Sequence, residues 1–189
     1  IGNFLNGDSS SKTVGDFTYS LSSDTNNVAI GAYYLNGTFG DSGTVTLNST
    51  GTLGDSPIGL FYGANSTPNK SDIILNGSNE LIGIYGKELN FSKLGDINLN
   101  TKSIGSYFIG SDITNSGNIT LGNGISNGYG LYLSGRKTTG GSLNTGQIDV
   151  NGTSSIGIVA TSDGTNGATI KNTDVINIMA GSTNSIGVY

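Results

Sequence analysis

The chain contains no cysteine, no histidine and no tryptophan, and only two prolines, Pro57 and Pro68. Without cysteine there is no disulfide and no thiolate metal site. Without histidine there is no His-based catalytic triad and no His-ligated metal. Positive charge is scarce too: eight Lys and Arg face thirteen Asp and Glu, for a formal net charge of −5. Only Arg136-Lys137 sets two cations side by side. A nucleic-acid groove needs clustered Lys and Arg to displace counterions, so no nucleic-acid partner is expected. No apolar run is long enough to cross a bilayer, so this segment is not expected to insert into a membrane.

What is abundant is glycine, at 32 residues, with many asparagines and short β-branched runs. Few prolines, many glycines and no sustained 3.6-residue apolar period predict strands joined by tight turns and almost no helix. One module organises the chain: an apolar residue, a glycine, any residue, then an aromatic. It stands as Ile1-Gly2-Asn3-Phe4, Ile30-Gly31-Ala32-Tyr33, Ile58-Gly59-Leu60-Phe61, Ile82-Gly83-Ile84-Tyr85 and Ile104-Gly105-Ser106-Tyr107. It returns as Tyr129-Gly130-Leu131-Tyr132, Ile156-Gly157-Ile158-Val159 and Ile186-Gly187-Val188-Tyr189. Copies are spaced 22 to 30 residues apart, a solenoid period.

Between the modules lies an alternating run, as in Asp96-Ile97-Asn98-Leu99-Asn100 or Gln147-Ile148-Asp149-Val150-Asn151. Its period of two gives one buried and one wet face. A weaker run precedes it, at Ile113 to Gly117, Leu143 to Gly146 and Ile170 to Thr173. The expected fold is therefore all-β: a right-handed parallel β-helix with three short strands per coil and about seven coils, occupying 1–189 as one segment. Ile73, Ile97, Ile119, Ile148 and Ile176 are expected to form one internal column. Leu75, Leu99, Leu121, Val150 and Ile178 form the next, and the module isoleucines (Ile30, Ile58, Ile82, Ile104, Ile156 and Ile186) a third. Polar insertions at Asp8 to Thr13, Ala64 to Ser71, Gly135 to Gly141 and Ser162 to Ala168 should protrude as loops.

The carboxylates Asp72, Asp96 and Asp174 share one repeat position. No basic partner recurs beside them, so they read as turn and edge solvation rather than as an acid/base pair. The single Gly140-Gly141 pair has no phased aspartate, so calcium of the β-roll kind is not expected. No catalytic residue, metal or cofactor is assigned. The most suggestive feature is the aromatic position: Phe4, Tyr33, Phe61, Tyr85, Tyr107, Tyr132 and Tyr189, with Val159 the exception. Alternation places these rings on an outer face beside the glycines. Tyr33, Phe61, Tyr85, Tyr107, Tyr132 and Tyr189 are the candidate ligand-binding residues; a self-stabilising ring ladder is the plainer reading. Inward-facing glycines would reverse the placement.

Segments such as Gly117-Asn118-Ile119-Thr120-Leu121 followed by Tyr129-Gly130-Leu131-Tyr132 resemble the passenger domains of autotransporters, the type V secreted proteins of Gram-negative bacteria. They are similar to repeats of the large fusobacterial outer-membrane adhesins. So are Gly146 to Gly152 and Ile156-Gly157-Ile158-Val159. The resemblance implies a rod on the bacterial cell surface, anchored in the outer membrane through a part absent here. It implies a non-catalytic adhesin segment, part of a longer passenger, that packs against adjoining coils. Its partners would be a glycan or protein on host cells or other bacteria. The alternatives are a β-helix polysaccharide hydrolase or lyase, or a toxin-like passenger whose rods oligomerise.

Overall fold

The computed structural model describes residues 3–6, 16–21, 30–38, 43–50, 56–64, 66–67, 72–77 and 80–189. No helix occurs among them. The modules have become strands Asn3–Asn6, Ile30–Leu35, Ile58–Tyr62, Ile82–Lys87, Ile104–Ile109, Tyr129–Ser134, Ile156–Thr161 and Ile186–Val188, stacked in that order into an eight-stranded sheet. The alternating runs form a seven-stranded sheet: Phe17–Leu21, Thr44–Ser49, Asp72–Gly77, Ile97–Leu99, Ile119–Leu121, Ile148–Val150 and Ile176–Ile178. The weaker runs form a four-stranded sheet of Asn90–Leu94, Asp112–Asn115, Ser142–Asn144 and Ile170–Asn172, whose first strand the sequence pattern did not reveal. Gly37–Thr38 and Ser66–Thr67 pair separately.

Every pairing in these sheets is parallel and joins successive repeats, for example Ile97 with Ile73 on one side and Ile119 on the other. The result is a parallel β-solenoid of about five turns, and the eight-stranded ladder reaches back to Asn3. The expected loops at 135–141 and 162–168 are largely exposed. The one expected at 8–13 lies outside the described residues.

Two of the expected internal columns are core. Val45, Ile73, Ile97, Ile119 and Ile148 are buried in register, as are Leu47, Leu75, Leu99, Leu121 and Val150. Each such side chain contributes roughly 1.5–3 kcal/mol of transfer free energy. In the last coil Ile176 and Ile178 are 38% and 45% exposed.

The third expected column is corrected. Ile30, Ile58, Ile82, Ile104 and Ile156 are only half-buried and Ile186 is exposed. The core column of the module sheet is instead the residue after each glycine: Ala32, Leu60, Ile84, Ser106, Leu131 and Ile158. The glycine explains the shift. Along Ile104–Ile109 both Gly105 and Ser106 are buried, so alternation skips a beat there. A Cβ on Gly105 would lie 2.2 Å from Ile97 Cγ2 and 2.5 Å from the Gly130 carbonyl oxygen. Gly83, Gly130 and Gly157 meet Ile73, Ile119 and Ile148, and the next module's carbonyl, in the same way. The isoleucine methyl of the neighbouring sheet fills the space a side chain would need.

A second aromatic stack runs inside the rod. Tyr34 and Tyr62 stack at 4.8 Å and 15°, and Phe91 and Phe108 continue edge-on at 5.7 Å steps. Further along, the interior of the third sheet turns polar. Asn115 Nδ2 donates to Asn144 Oδ1, and Asn144 Nδ2 to Asn172 Oδ1, each at 2.6 Å. Leu94 occupies the preceding register position, so among the described residues no donor reaches the buried Asn115 Oδ1. Serine hydroxyls tie the corners: Ser103 Oγ accepts from Leu81 N–H, Ser155 Oγ from Gly128 N–H and Ser111 Oγ from Leu89 N–H.

Gly105→Ala is expected to lower the urea midpoint by the equivalent of roughly 1–3 kcal/mol, the usual cost of overpacking. Gly167→Ala, where an added Cβ meets nothing within 4 Å, should stay within about 0.5 kcal/mol. Burial raises the Tyr34 hydroxyl from 10.0 to about 12. Its contribution is full below pH 10 and is lost as pH rises toward 12, where the unfolded chain has already given up the proton. Thermal melts across that range should show a shallower alkaline decline for Tyr34→Phe than for the parent.

Candidate functional site

The outer face of the eight-stranded sheet carries two columns, because the skipped beat at each glycine sends the first and fourth module residues outward. The first is Ile30, Ile58, Ile82, Ile104, Tyr129, Ile156 and Ile186. The fourth-position column begins with Phe4 in register with Tyr33 and runs through Phe61, Tyr85, Tyr107 and Tyr132 to Val159. The rings from Tyr33 to Tyr132 are half-buried. The expected outward placement of the rings therefore holds, while the glycines face inward. A glycine-lined outer stripe is not what the sheet presents.

Five of the six candidate residues form one ladder. Tyr33 and Phe61 stack at 4.6 Å and 6°, and Phe61 and Tyr85 at 5.0 Å and 22°. These rings spend their faces on one another and point their edges outward. The geometry then changes. Tyr85 and Tyr107 meet at 78°, and Tyr107 and Tyr132 at 85°. Burial, and then the neighbouring phenols Tyr132 and Tyr85, raise the Tyr107 hydroxyl above its ordinary value. Three hydroxyls thus gather on the part of the ladder where stacking stops. Val159 interrupts the series. Tyr189 lies beyond it: its N–H donates to Ile158 O and its carbonyl accepts from Ala160 N–H, on either side of Val159. Tyr189 is 68% exposed.

The aspartate position has a structural task. Asp96 N–H donates to Asp72 Oδ1 at 2.9 Å, and Asn118 N–H to Asp96 Oδ1 at 2.8 Å. Gln147 N–H donates in turn to Asn118 Oδ1. Each side chain holds the backbone of the next coil, and Asp174 binds its neighbour Val175 N–H instead. Among the described residues, no group of three or more His, Cys, Asp or Glu is placed to hold a metal ion.

A groove of about 370 Å³ lies beside the first outer column, which the sequence pattern did not single out. Ile82, Ile104 and Tyr129 form its floor, with Leu81 and Ser103 behind them. Its rim is Ser56, Glu80, Lys102 and Asn127, all two residues before a module and hence one column. Glu80 and Lys102 form an ion pair across adjacent coils. The groove follows from connection length. Four residues, 100–103, join Leu99 to Ile104, against seven at 122–128 and ten at 48–57. Later coils turn this corner with a left-handed residue, Asn127, Ser154 or Asn184, at φ of 50 to 57°. The four-residue connection 100–103 has no residue in that conformation, and the recess lies beside it.

If the outer ladder stabilises the rod, Phe61→Ala should cost roughly 1–3 kcal/mol, two ring pairs at about 0.5–1.5 kcal/mol each. Chemical denaturation read by tyrosine fluorescence measures it, and a change under about 0.3 kcal/mol would show the ladder to be surface decoration. No protein-family model, no curated protein and no solved structure matches this chain.

Proposed function

We propose that this chain is a non-catalytic segment of a bacterial surface adhesin, a rod of the autotransporter-passenger kind. In this reading it coils right-handedly with three strands per turn and packs against adjoining coils of its parent chain. It stands outside the cell, anchored in the outer membrane through another part. Its partner is a glycan or protein on host cells or other bacteria.

The observation that carries the reading is the outer face of the eight-stranded sheet. It presents isoleucines and aromatic rings side by side over successive coils, half-exposed, where a rod needing only solubility would place polar residues. The engagement of Asp72 and Asp96 with backbone N–H groups favours a scaffold role for those carboxylates over acid/base work.

Immobilised purified chain is expected to retain epithelial or bacterial cells, and the double variant Tyr107→Ala, Tyr132→Ala to retain far fewer while keeping its β circular dichroism. Retention unchanged by the double variant would move the contact off the ring ladder. No retention of any cell type by the parent chain, or new reducing ends released from polysaccharides, would defeat the adhesin reading.

A further inference from the structure

We infer that the groove floored by Ile82, Ile104 and Tyr129 is a binding site for one uncharged sugar residue, a hexopyranose of a neutral glycan. The inference rests on the adhesin reading and narrows its ligand.

Three observations converge. The first is a departure from the repeat. Seven of the eight modules begin with isoleucine, and only the one at Tyr129 begins with a ring. That ring lies on the groove floor, beside Ile104 and Ile82 in register. The ladder itself runs through the fourth module position, and Tyr129 meets it edge-on at Tyr132, with ring centroids 6.1 Å apart and the planes at 84°. The second is the lining. Aliphatic and aromatic carbon forms the floor, and a carboxylate, an ammonium and a carboxamide form the rim at Glu80, Lys102 and Asn127. A pyranose has the matching chemistry, with C–H groups on one face and hydroxyls around its edge.

The third is charge. Glu80 and Lys102 pair with each other, so the rim is neutral as a whole. A charged sugar finds no net attraction at such a rim to offset the water it gives up, whereas hydroxyls can use both groups. A carboxylate has lone pairs to spare after one ion pair, and an ammonium has further protons to donate. The groove's volume, about 370 Å³, falls at the small end of the ~300–1,000 Å³ range of ligand sites. Coil stacking spaces the rim residues Glu80, Lys102 and Asn127 about 4.8 Å apart, a spacing that lets neighbouring ring hydroxyls each meet a different side chain.

The test is titration of the purified chain with glucose, galactose, mannose and galacturonate, followed by ligand-observed NMR. At least one neutral hexose should bind, and galacturonate no more tightly than galactose, because the charges of the rim cancel. Tyr129→Ile restores the residue found in every other module, so the fold is kept. It should weaken hexose binding about tenfold, the size of a lost ring contact, while the melting midpoint falls by no more than the loss of the edge contact with Tyr132 accounts for. Glu80→Gln should weaken it several-fold. Failure of all three hexoses to bind, equal binding by Tyr129→Ile, or galacturonate binding more tightly than galactose would each overturn the inference. If cells are still retained when that happens, adhesion stands and only the sugar site falls; if retention is lost as well, both fall.

Discussion

The solenoid depends on one close approach. At the modules from Gly59 to Gly187 the backbone of the eight-stranded sheet comes so near the seven-stranded sheet that a β-branched methyl sits where a side chain would otherwise be. The next module's carbonyl closes the same space from the other direction. Only a residue without Cβ fits between the two, and the fit has to be repeated in every coil for the strands to stay in register. Stability in such an array comes from nearest-neighbour contacts rather than from a global core. Glycine at this position therefore fixes the distance between two faces of the rod. It also decides which module residues point inward, because the strand skips one beat of its alternation there.

That skipped beat marks where the sequence was legible and where it was not. The repeat, the strand positions and the columns at Ile97 and Leu99 follow from spacing and alternation, and the register bears them out. The module isoleucines were misplaced because alternation alone cannot reveal two consecutive inward residues. The rings kept their outward position for a reason the pattern did not contain: the irregularity at glycine shifted the phase by one and so put the fourth residue back outside. The strand at Asn90–Leu94 was missed because Phe91 and Leu94 are separated by a register shift. The buried stack of Tyr34, Tyr62, Phe91 and Phe108 follows no single repeat spacing, since Phe91 and Phe108 come from different sheets. The groove was invisible for a different reason. It is made by residues a short connection lacks.

Polar side chains in this rod serve mainly to join coils. Aspartate, asparagine and serine at repeated positions accept N–H groups from the coil beside them, which satisfies backbone donors that corners leave without strand partners. Inside the third sheet asparagine amides join the coils differently, each donating to the side-chain oxygen of the next. A low content of charge, with many Asn, Ser and Gly, is what a stack of this kind requires. Charges at stacked positions would lie one strand spacing from their copies and repel.

The connections vary from four residues to ten at one and the same corner while the strand register stays constant. Insertions and deletions are therefore absorbed at the perimeter, and the interior does not feel them. Shortening one corner leaves a recess in the flank of the rod. A chain built on this plan can acquire, move or erase a recess by changing segment length alone, without a single substitution among the residues that hold it together.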